Sequence, residues 1–260
     1  MKPVTVFTLL SLVISSGYAH ADGTVLTAAQ IAERAVRPDA LNWVGARARV
    51  RMVLTESAGK SRERSMEIIG REKDGHYQSL VRFLDPAEIA GTAFLMLEHG
   101  KDESEQYIYL PGIKRTRRIA GRERDSSFMG SDFTYSDMQG ADAKLAKHAR
   151  LTDEKIGSEP CYVIESTVDP SAGIVYGKVV TWIRQSDFIA LRTKFYDRTD
   201  KLVKTLYARR IKTIEGKLVV VEARMQNERA SHATDIVIDS VVRRDDLSDA
   251  QFTPSALEHL

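Results

Sequence analysis

The sequence is short of the residues that announce chemistry. It holds one cysteine, Cys161. No intrachain disulfide can form, and no cysteine near the N-terminus can take an acyl anchor. The neighbours Pro160, Tyr162, Val163 and Ile164 read as strand, so Cys161 is expected as a small buried side chain rather than a reactive thiol in electropositive surroundings. The histidines beyond residue 21 (His76, His99, His148, His232 and His259) stand apart, with no H-x-H or H-E-x-x-H spacing that would announce a metal. Glycine-rich phosphate loops are absent. Gly130-Ser131-Asp132 is the nearest approach to a nucleophile turn, but it lacks the G-x-S-x-G form, and helix capping accounts for Ser131 and Asp132. The acidic pairs Asp102-Glu103 and Asp245-Asp246 fall in polar turns, where solvation explains them. A formal net charge of +2 gives no field that would steer the chain to nucleic acid. The expectation is a protein without metal or cofactor that is not an enzyme.

Long hydrophobic runs are missing too, apart from one at the start. Lys2 precedes an apolar stretch from Val4 to Ile14, and Ala19-His20-Ala21 follows. A positive start, a short apolar run and A-x-A make a secretory signal peptide over residues 1–21. The run is shorter than the roughly 20 residues of a spanning helix. The expectation is therefore an exported, soluble, unlipidated periplasmic protein, with residues 22–260 as a single domain. The composition, 43% hydrophobic and 28% charged, is that of a globular chain.

What is present is alternation. Thr27-Ala28-Ala29-Gln30 has capping-box form and opens one short amphipathic helix through Ile31, Ala32, Ala35 and Val36, with Pro38 as its stop. From Val44 the period becomes two: Ala46, Ala48, Val50, Met52 and Leu54 share one face, opposite Arg47, Arg49, Arg51 and Thr55. Met66 and Ile68, then Tyr77, Val81 and Phe83, continue the pattern across turns at Gly59-Lys60-Ser61 and Lys73-Asp74-Gly75. Further strands are expected at Ala93–Glu98, Glu105–Leu110, Cys161–Val168, Val175–Arg184, Phe188–Tyr196, Leu202–Ile211, Lys217–Asn227 and Thr234–Arg243. Ser248-Asp249-Ala250-Gln251 again has capping-box form. About ten or eleven antiparallel strands in an unbroken meander predict a mainly β fold, one curved sheet or open barrel.

The segment from Asp125 to Gly140 follows neither period. Its Ser and Asp residues suit short helices, and Phe128, Met129, Phe133, Tyr135 and Met138 give those turns an apolar side suited to the concave face of a curved sheet. Just before it lie Lys114, Arg115, Arg117, Arg118, Arg122 and Arg124. This cluster lacks interleaved aromatics for base stacking. Two readings stand: a charged strand edge that blocks unwanted pairing, or a dock for an anionic headgroup or acidic protein surface.

The run Phe128-Met129-Gly130-Ser131-Asp132-Phe133-Thr134-Tyr135-Ser136-Asp137-Met138 matches an F-x-G-S-D-F-(S/T)-Y-x-D motif. With Tyr107–Pro111, Arg117-Arg118-Ile119, Cys161–Ile164 and the tail Leu247–Pro254, it makes the chain resemble the outer membrane lipoprotein-sorting proteins, the LolA/LolB-like superfamily, in a longer branch. The resemblance covers residues 27–260. It implies a half-barrel covered by short helices over an apolar cavity. It also implies a periplasmic carrier that binds lipid or lipoprotein acyl chains and shuttles them across the envelope. An inner-membrane exporter of the resistance–nodulation–division (RND) class and an outer-membrane acceptor would be its partners, with no nucleic acid. The alternative is a lipid sensor or adaptor that docks on a membrane partner through the basic cluster. By parity, the cavity residues are expected to be Val50, Met52, Leu54, Met66, Ile68, Tyr77, Val81 and Phe83. The lid is expected to be Phe128, Met129, Phe133, Tyr135 and Met138.

Overall fold

A computed structural model describes residues 26–35, 45–99, 103–138, 146–169 and 175–259. The expected signal peptide and Pro38 lie outside the described residues. The opening helix α1 (Ala28–Ala35) starts as its sequence requires. The Gln30 amide donates to Thr27 Oγ1 at 3.2 Å, and the Thr27 amide to Gln30 Oε1 at 2.9 Å.

Six strands follow: β1 (Gly45–Thr55), β2 (Ser61–Lys73), β3 (His76–Asp85), β4 (Ala93–His99), β5 (Glu103–Leu110) and β6 (Arg115–Ile119). A segment of short helical turns comes next, at Gly121–Asp125 and Phe128–Gly130, ending in α2 (Tyr135–Met138). The second series is β7 (Ala146–Arg150), β8 (Glu154–Ile156), β9 (Glu159–Val168), β10 (Lys178–Arg184), β11 (Ala190–Tyr196), β12 (Leu202–Ile214), β13 (Lys217–Asn227) and β14 (His232–Arg243). Tight hairpins at Asp74-Gly75 and Glu215-Gly216 place both central residues at positive φ, the turn whose twist suits two-residue connections.

Among the described residues all fourteen strands belong to one antiparallel sheet, in the order β6-β5-β4-β3-β2-β1-β14-β13-β12-β11-β10-β9-β7, with β8 also on β9. The expected ten or eleven is corrected to fourteen. The additional strands are β6, β7 and β8. Each has three to five residues and little apolar alternation: β6 reads Arg-Thr-Arg-Arg-Ile and buries only Ile119. Their partners on β5 and β9 hold them in the sheet, not a pattern of their own.

The connectivity makes the shape. The chain enters mid-sheet at β1, runs out to the β6 edge, and returns at the opposite edge through β7. The first and last strands then meet at the centre, where Val50 pairs with Ile238. Phe94 on β4 and Ala190 on β11 line one cavity although seven ladders separate them. In a flat sheet they would lie about 34 Å apart, at about 4.8 Å per strand. The sheet is therefore rolled, and it is unclosed.

Its convex side is covered by the C-terminal tail. Residues 247–259 lie over β2 to β5, with Phe252 and Leu257 packed among Ile69, Leu80, Ala93, Leu95 and Leu97. Arg71 anchors them, donating to Leu247 O at 2.9 Å and to Asp249 at 2.6 Å beneath the Phe252 ring. Capping-box contacts between Ser248 and Gln251 open this tail. With both faces covered, β4 buries five consecutive residues, Ala93 to Leu97. At the other flank α1 lies on the concave side: it sets Ile31 and Ala32 on Ile164 and Ile183, which share a face with the cavity-lining Thr193 and Ala190.

Candidate lipid-binding cavity

The concave face of the rolled sheet encloses a cavity of about 400 Å³, within the range of small-molecule sites, about 300–1,000 Å³. Alternation along β1 to β4 supplies one wall: Ala48, Val50 and Met52; Met66 and Ile68; Tyr77, Ser79 and Val81; Phe94 and Met96. The opposite wall comes from β11 to β14: Ala190, Thr193, Leu206, Ala208, Val220, Ala223, Ile236 and Ile238. Phe128, Phe133, Asp137 and Met138 roof it.

Of the eight residues expected at the cavity, Val50, Met52, Met66, Ile68, Tyr77 and Val81 line it, whereas Leu54 and Phe83 lie wholly buried in the adjoining packed core. Of the five expected lid residues, Phe128, Phe133 and Met138 face the space. Tyr135 is buried against Phe94 and Phe128, and half-buried Met129 packs on the core. The second wall was missed because alanine and threonine carry no hydrophobic signal. Parity along β14 could still have found Ile236 and Ile238.

The roof is a strap fixed at several points. Phe128 sits at the centre of an aromatic group, its ring 5.9 Å from Phe83, 5.2 Å from Phe94 and 5.4 Å from Tyr135. Met129 and Gly130 both take positive φ and turn the chain back, so the Phe128 amide donates to Phe133 O at 2.7 Å. Arg64 on β2 donates to the Met129 carbonyl, and burial pushes the Arg64 guanidinium below its usual value. Gln106, fully buried on β5, donates to Tyr135 O at 2.8 Å.

Two carboxylates of the strap reach the far flank. Asp132 accepts from Thr234 Oγ1 at 2.7 Å and from Asn227 Nδ2 at 3.2 Å, and lies 2.6 Å from His232 Nδ1. This corrects the expectation that Asp132 caps a helix: its side chain bridges to β13 and β14. Ser131 does bond locally, its hydroxyl donating to Phe128 O at 2.7 Å. Asp137 accepts from the Thr134 amide at 2.6 Å, from Tyr176 Oη at 3.1 Å and from Lys204 Nζ on β12. Side-chain exposure at this last pair is 4% for Lys204 and 8% for Asp137. Lys204 Nζ also donates to Asp132 O at 3.3 Å and lies over the rings of Tyr176 and Phe195. Burial, then the charge of Asp137, push the Tyr176 phenol far above its ordinary value, so it stays a donor.

Chemistry elsewhere is sparse. Cys161 is buried, and desolvation raises its thiol. Among the described residues no group of three His, Cys, Asp or Glu could hold a metal ion, and no helix is long and apolar enough to cross a membrane. The basic cluster lies at the β6 edge. Arg115, Arg117 and Arg118 are on the strand, Lys114 is in the turn before it, and Arg122 and Arg124 are in the first helical turn after it. Arg117 pairs with Glu123, Arg118 with Glu105 at 3.0 Å, and Arg124 donates to Ser104 O at 2.6 Å. Lys114, Arg115 and Arg122 are exposed.

A family model described as that of an uncharacterized protein matches residues 75–259. A solved domain named for outer membrane lipoprotein sorting, from Vibrio parahaemolyticus, is 28% identical, with TM-score 0.80 over 89% of this chain and 98% of that one. A DUF1329 family protein from Desulfovibrio piger is 29% identical, with TM-score 0.81 over 89% and 100%. A LolA superfamily protein from Nitrosomonas europaea, 22% identical over 88% and 98%, shares the fold at TM-score 0.68. No curated protein sequence matches. The family model spans well over half of the chain, so the chain belongs to the family that it describes, and the rolled sheet with its apolar hollow is the fold of these lipoprotein-sorting, DUF1329 and LolA-superfamily neighbours.

Proposed function

We propose that this protein is a periplasmic carrier that holds the hydrocarbon part of a lipid or acylated protein in the sheet's cavity. It hands that cargo across the envelope as a binding protein, not an enzyme. The observation that carries the reading is the unfilled space itself: a protein interior packs to the density of an organic crystal, yet here about 400 Å³ stays open between two apolar walls. Each methylene moved from water into it contributes about 0.8 kcal/mol. A dozen would give on the order of 10 kcal/mol before the costs of association. That is enough to hold cargo and still release it to a better acceptor.

On this reading residues 1–21 direct export and are removed, and residues 22–260 act as one domain. The donor is an inner-membrane lipid exporter of the RND class, and the acceptor lies at the outer membrane. Exposed Lys114, Arg115 and Arg122 offer positive charge for docking on either. The relative from Vibrio parahaemolyticus, named for lipoprotein sorting, supports the same class of cargo. The test is mass spectrometry of an organic extract of the purified periplasmic protein, followed by transfer of the bound lipid to acceptor vesicles. Stoichiometric lipid that moves to vesicles is expected. Protein that is lipid-free and binds none on exposure would end the proposal, and bound lipid that never transfers would favour a sensor.

A further inference from the structure

The strap and the cavity keep a constant order along the strands that they share. Resting on the carrier reading, we infer that cargo enters and leaves at the end of the rolled sheet opposite the strap, past Tyr77 and between the β2–β3 and β12–β13 hairpins. The strap is the sealed end of the cavity and not its door.

On β2 the strap meets Arg64, and the lining residues Met66 and Ile68 come after it. On β3 it meets Phe83, and the lining runs back through Val81 and Ser79 to Tyr77. Both sequences lead toward the turn at Asp74-Gly75. On β12 the strap holds Lys204, followed by the lining residues Leu206 and Ala208. On β14 it holds Thr234, followed by Ile236 and Ile238. Antiparallel pairing puts all four directions at one end of the sheet, with the strap across the other.

The strap's end is closed. Leu54, Phe83 and Thr234 are 0% exposed, and Met225 is 1% exposed. The flanks are closed as well: Ile108 and Ile119 are buried in the core that holds Phe128 and Tyr135, and Ile164 and Ile183 are buried with Ile31 of α1. Toward the hairpins burial falls. Ile68, Tyr77, Ser79, Ala208 and Ile238 are half-buried, although Ala46 and Gly70 near the seam stay buried. Tyr77 accounts for Gly70: a Cβ there would stand 2.6 Å from Tyr77 Oη, so the phenol reaches across β2.

Moving the strap would be the costlier route. It would part the buried Asp137 and Lys204, leaving two charges in the interior without each other. It would also take Phe128 from Phe83 and Phe94. Turning the Tyr77 side chain at the rim breaks none of these contacts.

The test is stopped-flow exchange of parinaric acid, a fluorescent polyene fatty acid, on the delipidated mature protein. Tyr77→Ala should speed uptake and release together, by about tenfold. Thr234→Val removes the hydroxyl that bonds the Asp132 amide at 3.0 Å and its carboxylate at 2.7 Å. This loosening of the strap should leave both rates within about twofold of the parent. The one native cysteine is buried, so Ser79→Cys supplies a single reactive thiol and a comparison within one folded protein. Attaching a bulky maleimide to that thiol should slow uptake at least about tenfold. Acceleration by Thr234→Val as large as that by Tyr77→Ala would overturn the inference and leave the carrier reading standing. Uptake unchanged by the maleimide would do the same. A parent protein that takes up no probe would overturn the carrier reading itself.

Discussion

On the flank of β3 and β4 the concave surface carries Phe83 and Phe94, and Phe128 and Tyr135 come down onto them from the strap. On the flank of β11 to β13 the positions that face the same space are Ala190, Thr193, Ala208 and Ala223, with Leu206 and Val220 as the larger side chains among them. One flank is filled by rings in tilted and edge contact, and the other is left short of side-chain volume. The strap crosses between them and is held in two ways: by aromatic burial where the sheet is full, and by the Asp132 and Asp137 clamps where it is hollow. The difference shows how a cavity survives in a folded protein. Space persists because the roof is fixed by polar groups on the side that has no bulk to carry it.

The full flank is where a deletion should hurt most. Phe128→Ala removes the shared partner of three rings and should lower stability by about 3–5 kcal/mol, measured by urea unfolding. A loss under about 1 kcal/mol would mean that the aromatic group does not carry the strap. At the hollow flank, Lys204→Met leaves the buried Asp137 carboxylate without its cation and should cost about 3 kcal/mol. Adding Asp137→Leu should recover most of that loss, because the pair then goes together. A double variant no better than the single would show that the clamp is held by something else.

Adding volume sharpens the contrast. Ala93→Leu pushes into the packed layer beneath Phe252 and should cost about 1–3 kcal/mol, whereas Ala223→Leu grows into open space and should stay within about 1 kcal/mol of the parent. Equal costs in thermal unfolding would mean the two flanks are not packed differently. The smallest effect is set by pH. The Tyr176 proton is held more tightly in the folded protein than at the ordinary tyrosine value of 10.0. Its contribution is therefore complete below pH 10 and is lost as the unfolded chain ionises above it, by about 1 kcal/mol over the first pH unit. In Tyr176→Phe this part of the alkaline slope should disappear.

The sequence made the full flank easier to read than the hollow one. Alternation in β1 and β2 exposed Val50, Met52, Met66 and Ile68 as one face because their neighbours are charged. The strap announced itself by breaking both periods while keeping five aromatic or methionine side chains close together. Ala208 and Ala223 gave no such signal, since a small residue on a cavity wall looks like a small residue anywhere. The clamps were hidden by distance: Asp132 meets Thr234 and His232 about a hundred residues on, and Asp137 meets Lys204. β6 was obscured because its residues are chosen for an edge, where arginines discourage further pairing, rather than for a dry face.

The seam between β1 and β14 has a consequence for how the molecule comes into being. Ala46 pairs with Arg243 and Thr55 with Ala233, so the middle of the sheet is zipped by the earliest and the latest strands to leave the ribosome. Early hairpins can form while synthesis continues, but the hollow gains its second wall only when the whole polypeptide is available. Such distant pairing is the kind that folds slowly. A nascent chain therefore lacks the completed hollow, and on the proposed carrier role loading must wait for the finished product.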